Sequence, residues 1–157
     1  MKRVTRKEKR ENQKEINFFE EFIRIKKHFF KDLNSKFKNV EDKRHQSYIE
    51  YTPDIILFTI IMKNVTAIES MNQMTSEFNT EECIDNVAKI LGYEELKELP
   101  HYDTINNFLK LLNPTEIEKI RKYMINELFK KRCLDGYRLL GKHWKIAVDA
   151  TGLAYNR

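Results

Sequence analysis

Apolar residues recur at steps of three and four along most of the chain, which predicts a mainly α-helical protein. The first predicted helix covers residues 11–33, where Lys and Glu separate the apolar positions. The second covers residues 53–64 and is apolar nearly all round, which indicates a buried helix. Thr52 is its expected N-cap, because Pro53 takes the first helical position favoured by proline.

Two shorter helices are predicted next along the chain. Residues 68–78 place Met71, Met74 and Phe78 on one side of a short helix. Thr80 is the expected cap of a helix that runs to residue 91, and Gly92 stands where glycine commonly ends a helix. The pattern therefore predicts two amphipathic helices on either side of Thr80.

Two more helices complete the helical part. Asp103 is the expected cap of a helix over residues 104–112. The expected buried stripe of this helix is Ile105, Phe108, Leu109 and Leu112. Asn113 begins a sequence similar to a capping box, which predicts a long helix from there to about Cys133. The pair Asp135-Gly136 then ends the helical pattern.

Beyond Gly136 the period changes to that of a strand, because Trp144, Ile146 and Val148 alternate with more polar positions. A lone strand leaves its backbone groups unpaired and is marginal without neighbours. Since only residues 150–157 follow it, we expect a β-containing domain that begins here and is otherwise missing.

Charge is unevenly distributed over the 157 residues, whose formal net charge is +5. This modest excess favours a polyanionic partner. Cations crowd the first ten residues against Glu8 alone, and they are Lys2, Arg3, Arg6, Lys7, Lys9 and Arg10. Such a run is either a solvated tail or a set of phosphate contacts, and it confers no sequence choice.

Several classes of protein and site are disfavoured by composition. Cys83 and Cys133 form no paired motif, so neither a disulfide framework nor a zinc knuckle is expected, and a reducing cytoplasm fits. The longest apolar run, residues 55–62, is far shorter than the roughly 20 residues needed to span a bilayer. The four histidines lack metal-ligand spacing, and they are His28, His45, His101 and His143.

Two sets of residues have two possible interpretations each, nucleic-acid contact or an ordinary structural role. Asn106, Asn107 and Lys110 lie on the outward face of the helix predicted over residues 104–112, where they are either base-contacting groups or ordinary surface. Five phenylalanines suit core or dimer packing better than base stacking, and they are Phe18, Phe19, Phe22, Phe29 and Phe30.

Two segments resemble insertion-sequence transposases of the DDE type. They are LPHYDTINNFL at residues 99–109 and IAVDATGL at residues 146–153, and the likeness extends over roughly residues 50–157. The resemblance implies a helical DNA-binding region followed by an RNase H-like domain whose first strand presents the first catalytic aspartate. Asp149 matches that aspartate, although a polar residue closing an apolar strand is the alternative. Relatives often have Gly where this chain has Ala150.

The chemistry that the resemblance implies needs more carboxylates than this match supplies. Transposases of this type use two divalent ions about 3.5–4 Å apart, and Asp149 is the expected metal ligand as well as a catalytic residue. The second aspartate and the glutamate of the family lie beyond the point matched by Arg157. One carboxylate binds Mg²⁺ only weakly. Mg²⁺ is therefore expected in a complete enzyme but not on this chain, which alone is expected to be inactive.

The resemblance divides the chain into three parts. Residues 1–10 are a basic tail, residues 11–136 a helical DNA-binding and assembly domain, and residues 137–157 the start of a truncated RNase H-like domain. The expected function is that of the amino-terminal part of a cytoplasmic DNA transposase, whose full-length family carries out Mg²⁺-dependent phosphoryl transfer. A non-catalytic DNA-binding regulator or inhibitor of transposition, and a plain helical interaction module, are the alternatives.

The partners follow from the same likeness. Double-stranded DNA at transposon ends is the expected nucleic acid. A second copy of the chain or the full-length transposase is the expected protein partner, and no membrane is involved.

Overall fold

The computed structural model describes residues 17–45, 47 and 49–144, and this part of the chain is helical. A 3-10 turn at Asp135–Tyr137 follows the last of the seven α-helices found in these ranges. The mainly α fold class is thus confirmed for the described residues. The helices are α1 Phe18–Phe29, α2 Leu33–Lys38, α3 Pro53–Val65, α4 Met71–Phe78, α5 Glu81–Leu91, α6 Tyr102–Leu111 and α7 Pro114–Lys130.

Helix α3 lies at the centre of the core. Every residue from Pro53 to Thr59 is buried, and so is Met62. Helices α1 and α2 pack against α3, α4 packs against α6, and α2 also contacts α7. This confirms that the apolar helix is buried. The principal core residues are Phe30, Leu33, Phe37, Val40, Tyr51, Ile55, Ile56, Phe58, Met74, Phe78, Val87, Leu99, Ile105, Phe108 and Ile120.

The single helix predicted over residues 11–33 is wrong at its carboxyl end, because α1 stops at Phe29 and α2 starts separately. Side chains of α7 and the residue after it bind the backbone at this break. Lys131 Nζ donates to the carbonyl oxygen of His28 at 2.6 Å, and the backbone N–H of Asp32 donates to the hydroxyl of Tyr123 at 3.2 Å. The part of the prediction before residue 17 lies outside the described residues.

Helices α3, α4 and α5 form close to where the pattern predicts them. Helix α4 starts later than residue 68, because Ser70 caps it by accepting a hydrogen bond from Gln73 N at 3.0 Å. Helix α5 has the predicted cap, with Thr80 Oγ1 accepting from Cys83 N at 3.3 Å. It ends at Gly92 with φ +83°, in the left-handed region that glycine adopts readily.

Thr52 is the N-cap residue of α3 and Pro53 takes the first helical position, as predicted. The Thr52 side chain makes no capping hydrogen bond, because its hydroxyl instead lies 2.8 Å from the hydroxyl of Tyr93. Tyr93 also donates to the carboxylate of Asp54, with oxygen distances of 3.0 and 3.1 Å. A tertiary hydrogen bond of the Thr52 hydroxyl therefore takes the place of its local bond to the helix backbone.

The cap and start predicted for α6 are wrong, and the long helix α7 is shorter than predicted. His101 caps α6 by accepting from Asp103 N at 3.3 Å, so the helix starts at Tyr102. Asn113 caps α7 as expected, through a hydrogen bond from Thr115 N at 3.0 Å. Helix α7 ends at Lys130 rather than near Cys133.

A tight turn follows α7, at residues 138–144. Leu139 N donates to His143 O at 2.8 Å and His143 N donates back to Leu139 O at 3.0 Å, which makes one antiparallel bridge. Leu140 and Gly141, at the tip, have φ +54° and +68°. No longer strand occurs within the described ranges, and Trp144 is not in a strand. The rest of the strand predicted for an RNase H-like domain falls outside those ranges.

Candidate nucleic-acid interface

The loop that leads into α6 is held by side chains from distant parts of the chain. Asn79 Oδ1 accepts from Leu99 N at 2.7 Å, and the hydroxyl of Tyr51 donates to Glu98 Oε1 at 3.0 Å. Leu99 and Pro100 are buried. These contacts fix where α6 begins.

Helix α6 is held against the core by two apolar side chains. Ile105 and Phe108 are almost wholly buried, Leu112 packs against the core, and α6 packs on α4. The predicted burial of Leu109 is wrong, because this side chain lies beside the solvent-facing side of α6 and is 43% exposed. The guanidinium of Arg44 lies 5.3 Å from the centre of the Phe108 ring. Because one side of α6 is fixed in this way, its opposite side faces solvent.

The solvent-facing side of α6 carries the three residues that the sequence singled out. Asn106, Asn107 and Lys110 are exposed, as is Asp103. At about 100° per residue, the four side chains fall within an arc of about 100°. The structure therefore brings Asn106, Asn107 and Lys110 together on one face, which we call the α6 face. Contact between this face and DNA remains a prediction.

The α6 face is polar with little net charge. Lys110 is its cation, and Asp103 is a carboxylate whose Oδ2 lies 3.4 Å from His101 Nδ1. Beside this face is a cleft of about 270 Å³, lined by Arg44, His45, Thr104, Asn107 and Leu111. Asparagine amides can pair with base edges, but so few cations neutralise few phosphates.

Arg44, on the wall of this cleft, is already bound within the protein. Its guanidinium donates to Asp42 Oδ2 at 2.6 Å and to the carbonyl oxygen of Tyr51 at 2.6 Å. Burial by itself would raise the pKa of Asp42, but the hydrogen bonds and charge of Arg44 outweigh it and hold that pKa below its ordinary value. Arg44 thus serves to fix the loop before α3.

A second candidate surface lies where α7 ends, and sequence reasoning missed it. Residues 129–144 contain five Lys or Arg against the single acid Asp135. The five cations, which we call the basic end, are Lys130, Lys131, Arg132, Arg138 and Lys142. The signal in the sequence is the run Lys130-Lys131-Arg132, which is shorter than the cation cluster in the first ten residues.

Aromatic packing brings the two parts of the basic end together. The rings of Phe129 and Trp144 meet edge to face, with centroids 4.8 Å apart. The guanidinium of Arg138 lies 4.9 Å from the centre of the Trp144 ring. Because Phe129 directly precedes the run of three cations, this contact places the turn beside them.

Part of the charge at the basic end is not neutralised by ion pairs. Lys130 pairs with Glu127 at 2.6 Å, and Arg138 pairs with Asp135 at 3.0 Å. Lys131 binds a carbonyl oxygen, which leaves its charge in place. Arg132 and Lys142 form no ion pair with any described residue. These last three cations are therefore available to phosphates.

Two predicted sites lie outside the described residues. One is the amino-terminal cation run, namely Lys2, Arg3, Arg6, Lys7, Lys9 and Arg10, and the other is Asp149. Within the described ranges, no group of three or more His, Cys, Asp or Glu side chains could hold a metal ion. In the same ranges, no helix is long and apolar enough to cross a membrane.

The phenylalanine cluster of α1 is largely structural. Phe30 is buried, while Phe19, Phe22 and Phe29 pack against the core. Phe18 alone of the five is strongly exposed, at 66%. Core packing is therefore confirmed for four of the five rings.

Comparison with known families gives a match over more than half of the chain. Residues 34–124 match the model of the family described as DDE_Tnp_1-associated. The match begins in α2, includes the whole α6 face and ends within α7, before the basic end. Comparisons with curated proteins and with solved structures give no significant match.

Proposed function

Because this chain belongs to the DDE_Tnp_1-associated family, a region linked to DDE transposases, we propose that it is the helical DNA-binding and assembly part of such a transposase. The family match carries the proposal, since it covers more than half of the chain. Double-stranded DNA of the transposon ends is the proposed partner, with a second copy or the full-length transposase as protein partner.

The two surfaces have different chemistry and suit different parts of a DNA complex. The basic end offers Lys131, Arg132 and Lys142, which no acidic side chain of the described residues neutralises, and such cations are what phosphate contacts require. The α6 face offers Asn106 and Asn107, whose amides can each donate to and accept from a base edge such as that of adenine. We therefore assign positioning on the duplex to the basic end and sequence choice to the α6 face.

The amino-terminal cations add to the phosphate contacts in this proposal. Lys2, Arg3, Arg6, Lys7, Lys9 and Arg10 need only be near the duplex, because phosphate neutralisation demands little geometry. Their contribution is therefore expected to depend on salt and not on sequence.

Strand cleavage needs further carboxylates besides Asp149 in this proposal. The two Mg²⁺ ions of the family's reaction activate the attacking oxygen and stabilise the leaving oxygen. The described residues hold no carboxylate cluster that fits them, and Asp149 alone is a weak ligand. We expect residues 1–157 to bind DNA without cutting it when Mg²⁺ is added.

Fluorescence anisotropy with duplex DNA tests the binding proposal. Association should weaken steeply between 50 and 200 mM salt, because phosphate contacts release counterions. The double variant Arg132→Glu/Lys142→Glu should lower the affinity at least tenfold and reduce the log-log salt slope by about 2. Deletion of residues 1–10 should also reduce the slope.

The matched control is Lys89→Glu/Lys97→Glu, which makes the same change in net charge at exposed positions of α5 and the following loop. It should weaken binding much less than Arg132→Glu/Lys142→Glu. Equal losses from both pairs would mean that only net charge matters, and no binding of the unaltered chain at low salt would remove the proposal.

A further inference from the structure

The turn after α7 carries an apolar side chain in an unusual place. Leu140 is 85% exposed, the largest exposed fraction among the large apolar residues of the described part. It also has φ +54°, a left-handed conformation that a residue with a Cβ adopts at a cost. Asn, Asp or Gly is the usual residue at such a position. The backbone strain of Leu140 is unfavourable for folding, and its exposed side chain gains almost no burial to offset that cost.

The turn holds this leucine in a defined position. Leu139 and His143 exchange two backbone hydrogen bonds at its base, and Lys142 N donates to Leu139 O at 3.2 Å. The base is anchored on α7 through Trp144, which contacts Phe129 and the guanidinium of Arg138. The strained backbone of Leu140 is thus held in place although its side chain makes little packing inside the protein. Backbone strain that is kept in this way points to a role in binding.

The surroundings of Leu140 identify the kind of partner. Arg132, Arg138 and Lys142 lie in the segment around it, where Asp135 is the only acid. Arginine is the one cation enriched at protein interfaces, whereas lysine is depleted there and charge is depleted at their centres. The net positive charge of this segment, with Lys142 in the turn itself, therefore suits a polyanion better than a protein partner. A polyanion that also offers an apolar gap fits well, and a duplex provides this where two base pairs unstack.

We propose that the turn at residues 138–143 is a DNA wedge, in which Leu140 enters an opened base step while Arg132 and Lys142 bind the flanking phosphates. This rests on the proposed function, since it presumes that the chain binds DNA, and it adds that the bound DNA is distorted. Apolar wedges of this kind partly unstack the step that they enter and kink the duplex.

The test uses two 30-base-pair duplexes of one sequence, one fully paired and one with a central T·T mismatch next to 2-aminopurine. Because the mismatch has already lost part of its stacking, the full chain should bind it about tenfold more tightly than the paired duplex. Binding to either duplex should raise the 2-aminopurine fluorescence, since the base leaves its stack.

The decisive variant is Leu140→Asn, because Asn tolerates the left-handed backbone and removes only the apolar side chain. Its melting temperature should equal or exceed that of the unaltered chain. It should lose the mismatch preference and the fluorescence rise, but keep the salt slope. Leu140→Met should retain the preference, and Ile117→Asn, at an exposed position of α7, is the matched control.

Other outcomes of these binding experiments would contradict the wedge or the proposed function. A mismatch preference that survives in Leu140→Asn overturns the wedge, as does binding to both duplexes with equal affinity and no fluorescence change, and in both cases DNA binding itself stands. No binding to either duplex removes the proposed function as well. The wedge is also overturned if Leu140→Asn instead abolishes self-association in sedimentation, or abolishes binding to phosphatidylserine vesicles.

Discussion

Arg44 and Asp42 show how single residues hold the loop between α2 and α3. Their side chains are only 8% and 10% exposed and lie 2.6 Å apart. The guanidinium also binds the Tyr51 carbonyl and lies over Phe108 of α6. This one side chain therefore joins the loop to the backbone just before α3 and to the buried side of α6.

We expect Arg44→Ala to lower the free energy of unfolding by about 3 kcal/mol, because it leaves the Asp42 carboxylate buried without a counter-charge. Urea denaturation at pH 7 measures this change. Arg24→Ala is the control, since Arg24 pairs with Glu21 at the surface and should cost under about 1 kcal/mol. Equal losses for the two variants would contradict the prediction.

The same pair predicts an acid dependence of stability. The pKa of Asp42 is lower in the folded state than its unfolded value near ~3.9. Its stabilisation is therefore complete above that value and is lost as the pH falls through the lower folded pKa. Stability measured from pH 6 down to pH 2 should fall less steeply in Asp42→Asn, and an unchanged slope would show that Asp42 contributes nothing.

At the scale of elements, the helix ends depend on both local and distant groups. Helix α5 has local signals at both ends, with Thr80 at the start and Gly92 at the stop. Helix α1 ends where Lys131 binds the backbone of its last turn and Tyr123 binds the backbone just after it. Only the first kind of end can be found from neighbouring residues.

Gly92→Ala tests the local stop of α5. A Cβ at Gly92 would meet nothing within 4 Å, so its effect comes from the positive φ alone. We expect a loss of about 1 kcal/mol in the free energy of unfolding. Gly136→Ala is the matched control, because its Cβ also meets nothing and its φ is not positive. It should leave stability unchanged, and an equal loss there would refute this explanation.

At the scale of the whole molecule, stability should be greatest at α3, which is buried over most of its length between other helices. Native-state hydrogen exchange should show the amides of α3 opening only with global unfolding. The amides of residues 135–144, next to exposed Tyr137 and Leu140, should exchange through local opening. Exchange of α3 at the rate of that turn would contradict this order.

Much of the helical architecture and part of the candidate interface could be predicted from the sequence. The apolar period located α3 and α5 closely, and the same spacing predicted the exposed side of α6, because helix periodicity is a property of residues three and four apart. The motifs also led to the transposase resemblance, which the family match supports.

The tertiary structure decided what depends on residues far apart in the chain. It broke the first predicted helix after Phe29, and it gave the Thr52 hydroxyl to Tyr93 instead of to the helix backbone. It also brought the turn at Leu140 beside the cations that follow Phe129. A local pattern determines which face of a helix is apolar, but backbone groups and charges find their partners only when the helices pack together.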